Sequence, residues 1–370
     1  MKRRSFIKLA ACSVAALNAP VWAALANNTK QQWAPYNSSL VIDGLSAAFD
    51  YGVDHIDDEL LAIFKNSGIT ALNATIPSPG DDFATTQLKI SATKRIINKY
   101  PSHFKLIMQA SDIIEAKKHQ QMGIIIGFQS TEMFGDNLDN IARFARQGAR
   151  YMQLTYNRRS QYGDGGLEKD NKGLTHLGRE AIEVMEENKV LVDLSHSGQK
   201  TVAEAIAQAK RPLTLSHTGC NSVYRHPRNN DDAELKAIAD KGGVVGIYLM
   251  PFLEGGDGEI TAESLLKHID YAINLCGEDH VSIGSDQGVK PVNDGPEYRE
   301  FIRKEVERRI AAGISAPGET PNRPPFIPQL NTERRMELIA YYMKKRGYKD
   351  STIEKVMGVN LYRLYQEVWA

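Results

Sequence analysis

Residues 190–196 read Val-Leu-Val-Asp-Leu-Ser-His, and residues 212–217 read Pro-Leu-Thr-Leu-Ser-His. Each stretch is a short apolar run that ends in a Ser-His pair, without the polar alternation of a half-exposed strand. Continuous apolarity of this kind is typical of parallel strands that are buried on both faces. The two stretches therefore predict an α/β fold built around a parallel sheet.

Apolar runs of the same kind recur along the chain and are separated by segments with helical spacing of apolar residues. The other runs are 40–43, 69–74, 104–108, 123–128, 151–155, 243–248 and 280–284, and the helical segments include 138–146, 203–209 and 235–239. Such alternation is typical of a (β/α)₈ barrel or a doubly wound sheet. No Gly-x-Gly-x-x-Gly follows the first run, which argues against a dinucleotide-binding sheet. We therefore predict a TIM-like (β/α)₈ barrel of the metal-dependent hydrolase type.

Nine candidate strands exceed the eight that such a barrel needs. We expect the run at 104–108 to lie outside the barrel. Paired prolines and glycines predict a loop near 312–330, and the segments 331–346 and 351–368 have the pattern of closing helices. We therefore expect residues 27–370 to form a single domain.

The N-terminus has the pattern of an export signal. Arginines at positions 3 and 4 precede a short apolar run and a small-residue segment that ends at Ala26. The Arg-Arg-x-Phe-x-Lys order is typical of the twin-arginine route, so we expect residues 1–26 to be removed and the folded chain to reach the bacterial periplasm. A retained basic helix is the alternative. A lipoprotein box ahead of Cys12 is disfavoured because Lys8 shortens the apolar run.

Charge and cysteine content exclude several classes of protein. The chain has 45 Lys and Arg residues against 45 Asp and Glu residues, and removal of four basic leader residues leaves 41 against 45. A net charge near −4 lacks the excess of positive charge that would attract nucleic acid or an anionic membrane. No later stretch is long and apolar enough for an integral membrane span. Cys220 and Cys276 could form at most one disulfide, which excludes a disulfide scaffold.

Reactive side chains follow three of the predicted strands. His196 follows the run 190–194, His217 follows 212–215, and Asp286 follows 280–284. Catalytic groups of barrels lie at the C-terminal ends of strands. Two imidazoles there can share a divalent metal, and a carboxylate can move the proton of a bound water. The alternative is that the histidines only cap or hydrogen-bond and that Asp286 caps the next helix.

Motifs in a fixed order along the chain give a specific resemblance. They lie at 173–180, 192–196, 215–217, 226–229, 242–245, 280–286 and 353–360. The chain resembles the membrane (renal) dipeptidase family, the peptidase M19-like branch of the amidohydrolase-like barrels, over residues 40 to 368. This resemblance implies a hydrolase of dipeptides that binds two zinc ions.

The resemblance also implies roles for individual residues. His196 and His217 match the histidines of the second zinc site. Arg228 matches the arginine that binds the substrate carboxylate, for which a bidentate guanidinium is well suited. Asp286 matches the acid/base aspartate. These four residues predict that half of the family's site is present.

The other half departs from the family pattern. Residues 43–47 read Asp-Gly-Leu-Ser-Ala where the family has Asp-Gly-His-x-Asp, so Leu45 and Ala47 occupy ligand positions without being able to ligate. Gln129 stands at the position of the bridging glutamate. Tyr156 replaces a histidine that steadies the scissile carbonyl, and a tyrosine can still donate a hydrogen bond there. The alternative is a shifted register with ligands at Asp50, Asp54 or His55.

These departures predict zinc at one ion or none and make ordinary dizinc dipeptidase activity unexpected. The favoured hypothesis is an exported hydrolase that acts on a dipeptide or small amide with a free carboxylate. A second hypothesis is an inactive relative that binds a peptide-like ligand through Arg228 and Tyr156. A third is an enzyme that tailors an exported peptide metabolite. A homodimer is compatible with each of them.

Overall fold

The computed structural model describes residues 32–47, 55–256 and 258–370. These residues form one nine-stranded sheet in which every paired neighbour runs parallel. The strands are β1 Ile42–Ser46, β2 Ala71–Thr75, β3 Phe104–Leu106, β4 Met122–Phe128, β5 Ala149–Gln153, β6 Leu191–Asp193, β7 Thr214–Thr218, β8 Val244–Ile247 and β9 Val281–Ile283.

The sheet curls into a nearly closed eight-stranded barrel. Its order is β1-β2-β4-β5-β6-β7-β8-β9, and β3 lies off this path because it pairs only with β4. At the seam between β9 and β1, the Ser46 hydroxyl donates to the carbonyl oxygen of Gln287 at 2.7 Å. The predicted (β/α)₈ barrel is confirmed, and so is the position of the 104–108 run outside it.

Helices alternate with the strands and cover the barrel. They are α1 Asp58–Asn66, α2 Phe83–Lys99, α3 Ser111–Lys118, α4 Asp139–Gln147, α5 His176–Glu187, α6 Gln199–Gln208, α7 Asp232–Asp240, α8 Ala262–Cys276, α9 Pro296–Ala311, α10 Arg335–Lys345, α11 Asp350–Glu354 and α12 Asn360–Val368. The three helical segments predicted between strands are confirmed as parts of α4, α6 and α7. Their amphipathic faces supply the outer layer of the core.

The last predicted helix differs from the structure in one respect. Residues 351–368 do not form a continuous α-helix, because a π-helical turn at Lys355–Val359 separates α11 from α12. Gly358 in this turn lies against the start of β1, where a Cβ atom would come within 2.4 Å of the Leu40 carbonyl oxygen. The wider turn lets the helix keep this close approach.

The strands are buried on both faces, as their sequences predict. Every residue of β4 and of β1 is buried. In the barrel interior, Gly246 and Gly284 approach the Ser216 carbonyl oxygen so closely that a Cβ atom would lie 2.0 and 1.9 Å from it. Glycine at these two positions lets β8 and β9 pack against β7 beneath the C-terminal edge.

Two further expectations concern the cysteines and the membrane. Cys220 and Cys276 are both free thiols in the structure. The Cys220 sulfur contacts the His268 carbonyl oxygen at 3.7 Å, and the Cys276 sulfur contacts that of Leu235 at 3.5 Å. Within the described ranges, no helix combines the length and apolarity that a bilayer crossing requires. The predicted signal at 1–26 lies outside the described residues.

Candidate active site

The C-terminal ends of β6, β7 and β9 bring the predicted residues together. The ring centroids of His196 and His217 are 4.9 Å apart. The charge of Arg228 acts on both imidazoles and on the carboxyl group of Asp286. The structure therefore places these four residues in one cluster at the edge of the barrel where catalytic groups of this fold lie.

His196 and Asp286 share an unusual backbone conformation. Their φ angles are 65° and 57°, in the left-handed region that non-glycine residues seldom adopt. Neither residue is a helix cap, since α6 begins after Gly198 and α9 begins after Gly295. The capping alternative is therefore wrong for both. Strained conformations of this kind concentrate at functional sites, where they aim a side chain.

The tautomer of His217 follows from a chain of hydrogen bonds. The hydroxyl group of Ser216 donates its single proton to Asp193 Oδ2 at 2.5 Å, so its oxygen must accept from His217 Nδ1 at 2.8 Å. His217 Nε2 then carries a lone pair. This atom is buried and has no hydrogen-bond partner among the described residues, and the side chain is 0% exposed. An orphaned buried nitrogen of this kind is suited to a ligand.

His196 is oriented in a similar way. Its Nδ1 lies 2.6 Å from Asn157 Oδ1. The Asn157 Nδ2 donates to the Ile314 carbonyl oxygen at 3.1 Å, so the amide oxygen faces the imidazole and accepts from it. His196 Nε2 is thus left with its lone pair as well. Both imidazoles thus keep an unprotonated Nε2 atom, and their ring centroids lie 4.9 Å apart.

Both imidazoles are held neutral. Burial, and next the positive charge of Arg228, place the pKa of His196 and of His217 well below their usual value. A neutral imidazole is the form that binds metals or accepts protons. The cluster therefore has the protonation state that its predicted chemistry requires.

Asp286 has a pKa suited to acid/base work. Burial raises the pKa of this carboxyl group to about 6, although the Arg228 charge opposes the shift. A hydrogen bond from the Gln129 side chain also favours the carboxylate. The backbone N–H of Asp286 donates to the Leu45 carbonyl oxygen at 3.0 Å. The acid therefore lies beside the part of the site whose sequence departs from the family pattern. An acid with a pKa near the working pH transfers protons most effectively.

Arg228 is a buried cation without a counter-charge bound to it. Its side chain is 4% exposed and lies over the Tyr248 ring at 5.9 Å. No acceptor among the described residues forms a hydrogen bond with its guanidinium. The loop that carries it is fixed by His226, whose Nδ1 accepts from the Arg228 backbone N–H at 3.1 Å and whose Nε2 donates to the Pro317 carbonyl oxygen at 2.7 Å. A buried guanidinium held in this way calls for an anionic ligand.

The opposite wall lacks ligating groups. Leu45 is 2% exposed and lies at the end of β1, and the residue two positions on is Ala47. Gln129 is half-buried and bonds to Asp286. The ring of Tyr156 stacks on that of His196 with 4.3 Å between centroids. Among the described residues, no group of three or more His, Cys, Asp or Glu side chains could hold a metal ion.

The shifted-register alternative has no support from the described residues. His55 Nδ1 bonds to the Tyr100 hydroxyl at 2.7 Å in an exposed position. Asp50 and Asp54 lie outside the described residues. Within the described ranges, the imidazole nitrogens of His196 and His217 are therefore not joined by a third His, Cys, Asp or Glu side chain in a group that could hold a metal ion.

Sequence reasoning missed several residues that shape the site. Asp193 accepts hydrogen bonds from the backbone and side chains of Ser195 and Ser216, and a charged residue inside an apolar run was the available signal. Asn157 and Arg309 were missed for a different reason. Nothing in their local sequence distinguishes them from surface residues.

A parallel barrel with two neutral histidines, an acid and a buried arginine at its C-terminal edge defines an amidohydrolase-like hydrolase. The family model described as "Membrane dipeptidase (Peptidase family M19)" matches residues 39–313. The chain belongs to this family.

Solved structures agree with this assignment. An amidohydrolase from Pseudomonas aeruginosa is 31% identical with a TM-score of 0.78, and the match covers 90% of this chain and 98% of that one. A metallo peptidase from Rhodobacter sphaeroides, liganded with a phosphinate mimic of the dipeptide L-Ala-D-Ala, is 20% identical with a TM-score of 0.70 and shares the fold. That match covers 90% of this chain and 100% of the other.

A relative known from its sequence is an uncharacterized dipeptidase of Schizosaccharomyces pombe. It is 28% identical over 272 residues, which is 70% of this chain and 64% of the relative. A protein of Klebsiella pneumoniae encoded in the pqqA 5' region is also 28% identical, over 56% of this chain and 80% of its own length. Both relatives are described as uncharacterized, so the activity of this chain rests on its own site.

Proposed function

We propose that this protein is an exported hydrolase that cleaves dipeptides or other small amides with a free carboxylate, using at most one metal ion. One observation carries the proposal. A buried guanidinium without a bound acceptor, Arg228, lies beside two neutral imidazoles and an acid with a pKa of about 6. A substrate carboxylate would satisfy this cation and bring the adjoining amide bond to the reactive groups.

The residues of the chain divide the chemistry between them. Arg228 binds the substrate carboxylate in a bidentate manner. Asp286, ionised at neutral pH, accepts the proton of the attacking water and later delivers it to the leaving amine. Tyr156 donates a hydrogen bond to the carbonyl oxygen as negative charge develops there. A single zinc ion on the Nε2 atoms of His196 and His217 would supply Lewis acidity to the water.

Names of related proteins support a peptide substrate. Relatives of this chain in Claviceps purpurea and Clonostachys rogersoniana are described as dipeptidases. The Rhodobacter sphaeroides structure holds a dipeptide mimic. We extend this substrate class to the present chain because its site retains the buried arginine that a peptide carboxylate requires.

The decisive experiment assays a panel of dipeptides with the wild-type protein and with His217→Ala, both purified without chelators. We expect hydrolysis by the wild type and a loss of about 100-fold or more in the variant. Metal analysis should find no more than one zinc per wild-type chain. His119→Ala is the matched control, because His119 lies on the exposed surface after α3. Equal rates for the wild type and His217→Ala would remove the proposed role of the histidines.

A second function is favoured by one observation. Leu45 fills a buried position on the wall where the family pattern has a ligand, so the pocket can hold a peptide-like molecule without activating water. This non-catalytic function predicts dipeptide binding by calorimetry, no turnover and no bound zinc. The same panel thus separates the two candidates.

A further inference from the structure

An irregular segment between α9 and α10 crosses the C-terminal edge of the barrel. We call residues 313–325 the strap, and the chain forms no helix or strand within this range. Carbonyl oxygens and one side chain of the strap bond to the loops that follow four different strands. The partners are Asn157 and Arg158 after β5, His226 after β7, Glu254 after β8 and Gln287 after β9. The strap therefore lies across the edge that carries the candidate active site.

One of these contacts connects the strap to His196. The Ile314 carbonyl oxygen accepts from Asn157 Nδ2 at 3.1 Å, and Asn157 Oδ1 lies 2.6 Å from His196 Nδ1. Because the strap holds its Nδ2, the Asn157 amide presents its oxygen to the imidazole, and an oxygen can only accept. The strap thus contributes to the tautomer in which His196 Nε2 keeps its lone pair.

Two further contacts connect the strap to other parts of the site. The Pro317 carbonyl oxygen accepts from His226 Nε2 at 2.7 Å, and His226 Nδ1 accepts from the Arg228 backbone N–H at 3.1 Å. The Pro325 carbonyl oxygen accepts from Gln287 at 2.9 Å, and this glutamine directly follows the candidate acid. A single side chain therefore separates the strap from the substrate-binding arginine.

The reactive groups are closed off from solvent in this arrangement. The His217 side chain is 0% exposed, and that of Arg228 is 4% exposed. A dipeptide has to reach both groups in the proposed function, so part of the site has to open. The strap is suited to this movement because side-chain hydrogen bonds hold it, whereas a sheet ladder holds the strands. Gly313 and Gly318 have φ angles of 67° and 83°, and glycines of this kind can absorb the backbone change of a hinge.

We propose that the strap is a lid that opens to admit the substrate and completes the site when it closes. The inference rests on the proposed function for the identity of the substrate. In the open state Ile314 no longer accepts from Asn157, and the amide can turn its Nδ2 toward His196. The Arg228 loop loses its contact with the strap in the same movement. Closure therefore couples the capture of a carboxylate to the assembly of the groups that react.

The first test measures opening of the strap without any ligand. Ala316 lies in the strap and is 4% exposed, so a thiol introduced by Ala316→Cys should react with iodoacetamide when the strap opens. Cys276→Ser removes the partly exposed native thiol from this protein. Cys220 is 0% exposed in the hydrophobic core, so its labelling reports global unfolding in the same sample. Mass spectrometry follows both thiols over time.

Arg158→Gln is then added to the protein that carries the introduced thiol. This change removes two hydrogen bonds from the guanidinium to the Gly313 carbonyl oxygen and should speed labelling of the strap about 5-fold. Arg159→Gln is the matched control and should leave the rate unchanged, because the neighbouring guanidinium bonds to Asp164 instead. Equal labelling rates in the two variants would overturn the proposal. Labelling of Cys220 as fast as that of the introduced thiol would overturn it as well.

The second test measures how fast a phosphinate dipeptide mimic binds, by stopped-flow mixing. Because a larger fraction of Arg158→Gln is open, its association rate constant should be about 5-fold higher than in Arg159→Gln. A contact with a purely structural role would leave association unchanged or slower, and that result would overturn the lid. If the mimic does not bind while Arg158→Gln still speeds labelling, the lid is retained and the proposed hydrolase function is rejected.

Discussion

At the scale of single residues, His196 and Asp286 have a backbone conformation that is unusual for non-glycine residues. A left-handed backbone costs an ordinary residue roughly 1–2 kcal/mol, and both His196 and Asp286 adopt it, although Asp and His tolerate it better than most residue types. Hydrogen bonds then set the chemistry, since Asn157 and Ser216 decide which imidazole nitrogen keeps a lone pair. The orientation and protonation of the two histidines are thus determined by neighbouring residues that do not themselves react.

The pH dependence of hydrolysis should report Asp286. Its pKa is raised to about 6, so the rate should rise with pH and reach half of its plateau near pH 6 as the carboxylate forms. Gln129→Leu removes a hydrogen bond that favours the carboxylate and should move this midpoint to higher pH. The measurement is kcat/KM against pH for the wild type and the variant. A pH-independent rate between 5 and 8 would rule out Asp286 as the base.

Two sets of buried groups act on protein stability in opposite directions over the same range. The pKa of Asp43 and of Asp286 is raised from 3.8 to about 6, so the folded state binds these protons more tightly than the unfolded state. The free energy of unfolding contributed by these groups therefore falls as pH rises from about 4 to about 6. The lowered pKa values of His196 and His217 act the other way, because the unfolded state binds their protons more tightly, so their contribution to the free energy of unfolding rises as pH rises toward 6.5.

Individual residues also show the limits of sequence reasoning. The clustering of His196, His217, Arg228 and Asp286 could be predicted because motifs in a fixed order surround them and because all but Arg228 lie at or just after strand ends. Arg309 could not, since it lies in a run rich in arginine and glutamate where most side chains form exposed ion pairs. Only the effect of its charge on the Asp286 carboxyl group distinguishes it. That proximity depends on tertiary packing, which local sequence does not encode.

At the scale of elements, the close packing of three strands supports the part of the site that carries His217. Gly246 on β8 and Gly284 after β9 both face the Ser216 carbonyl oxygen. Ser216 is also the residue that orients His217. A side chain at either glycine would push against the strand that carries this network. The packing of these strands and the tautomer of the histidine are therefore linked.

Gly284→Ala is accordingly expected to destabilise the protein by about 1–3 kcal/mol, as overpacked cores do. Gly258→Ala is the control, since a Cβ atom there meets nothing within 4 Å, and surface substitutions of this kind change stability by about 0.5 kcal/mol or less. Urea unfolding measures both. Equal stability of the two variants would show that β9 can move away from β7 without cost.

Most elements were predictable because fully buried parallel strands have a simple signature. The boundaries of the elements were less predictable than their existence. The strand β7, for example, extends through His217 to Thr218, beyond the apolar run 212–215. The π-helical turn could not be foreseen, because its cause is the contact between Gly358 and the backbone at Leu40. Contacts between distant segments decide such details.

At the scale of the whole molecule, the proposed export gives a prediction about the compartment in which the protein accumulates. Replacing Arg3 and Arg4 together by lysine should leave the protein in the cytoplasm, because the twin-arginine route reads that pair as an address. Cell fractionation followed by immunoblotting measures this. Replacing Arg158 and Arg159, which lie in a surface loop of the folded domain, is the control and should not alter the location. Normal export of the twin-lysine variant would exclude this route.

The seam of the barrel has a consequence for synthesis. Asp43 on β1 accepts from the backbone and hydroxyl of Ser285, 242 residues later in the chain. A nascent chain leaves the ribosome N-terminus first, so the barrel cannot close between β1 and β9 until β9 has been synthesised. The acid at Asp286 and the wall at Leu45 meet across this same junction. The complete site therefore forms only after β9 has been synthesised, and no ribosome-bound fragment that stops before β9 can display it.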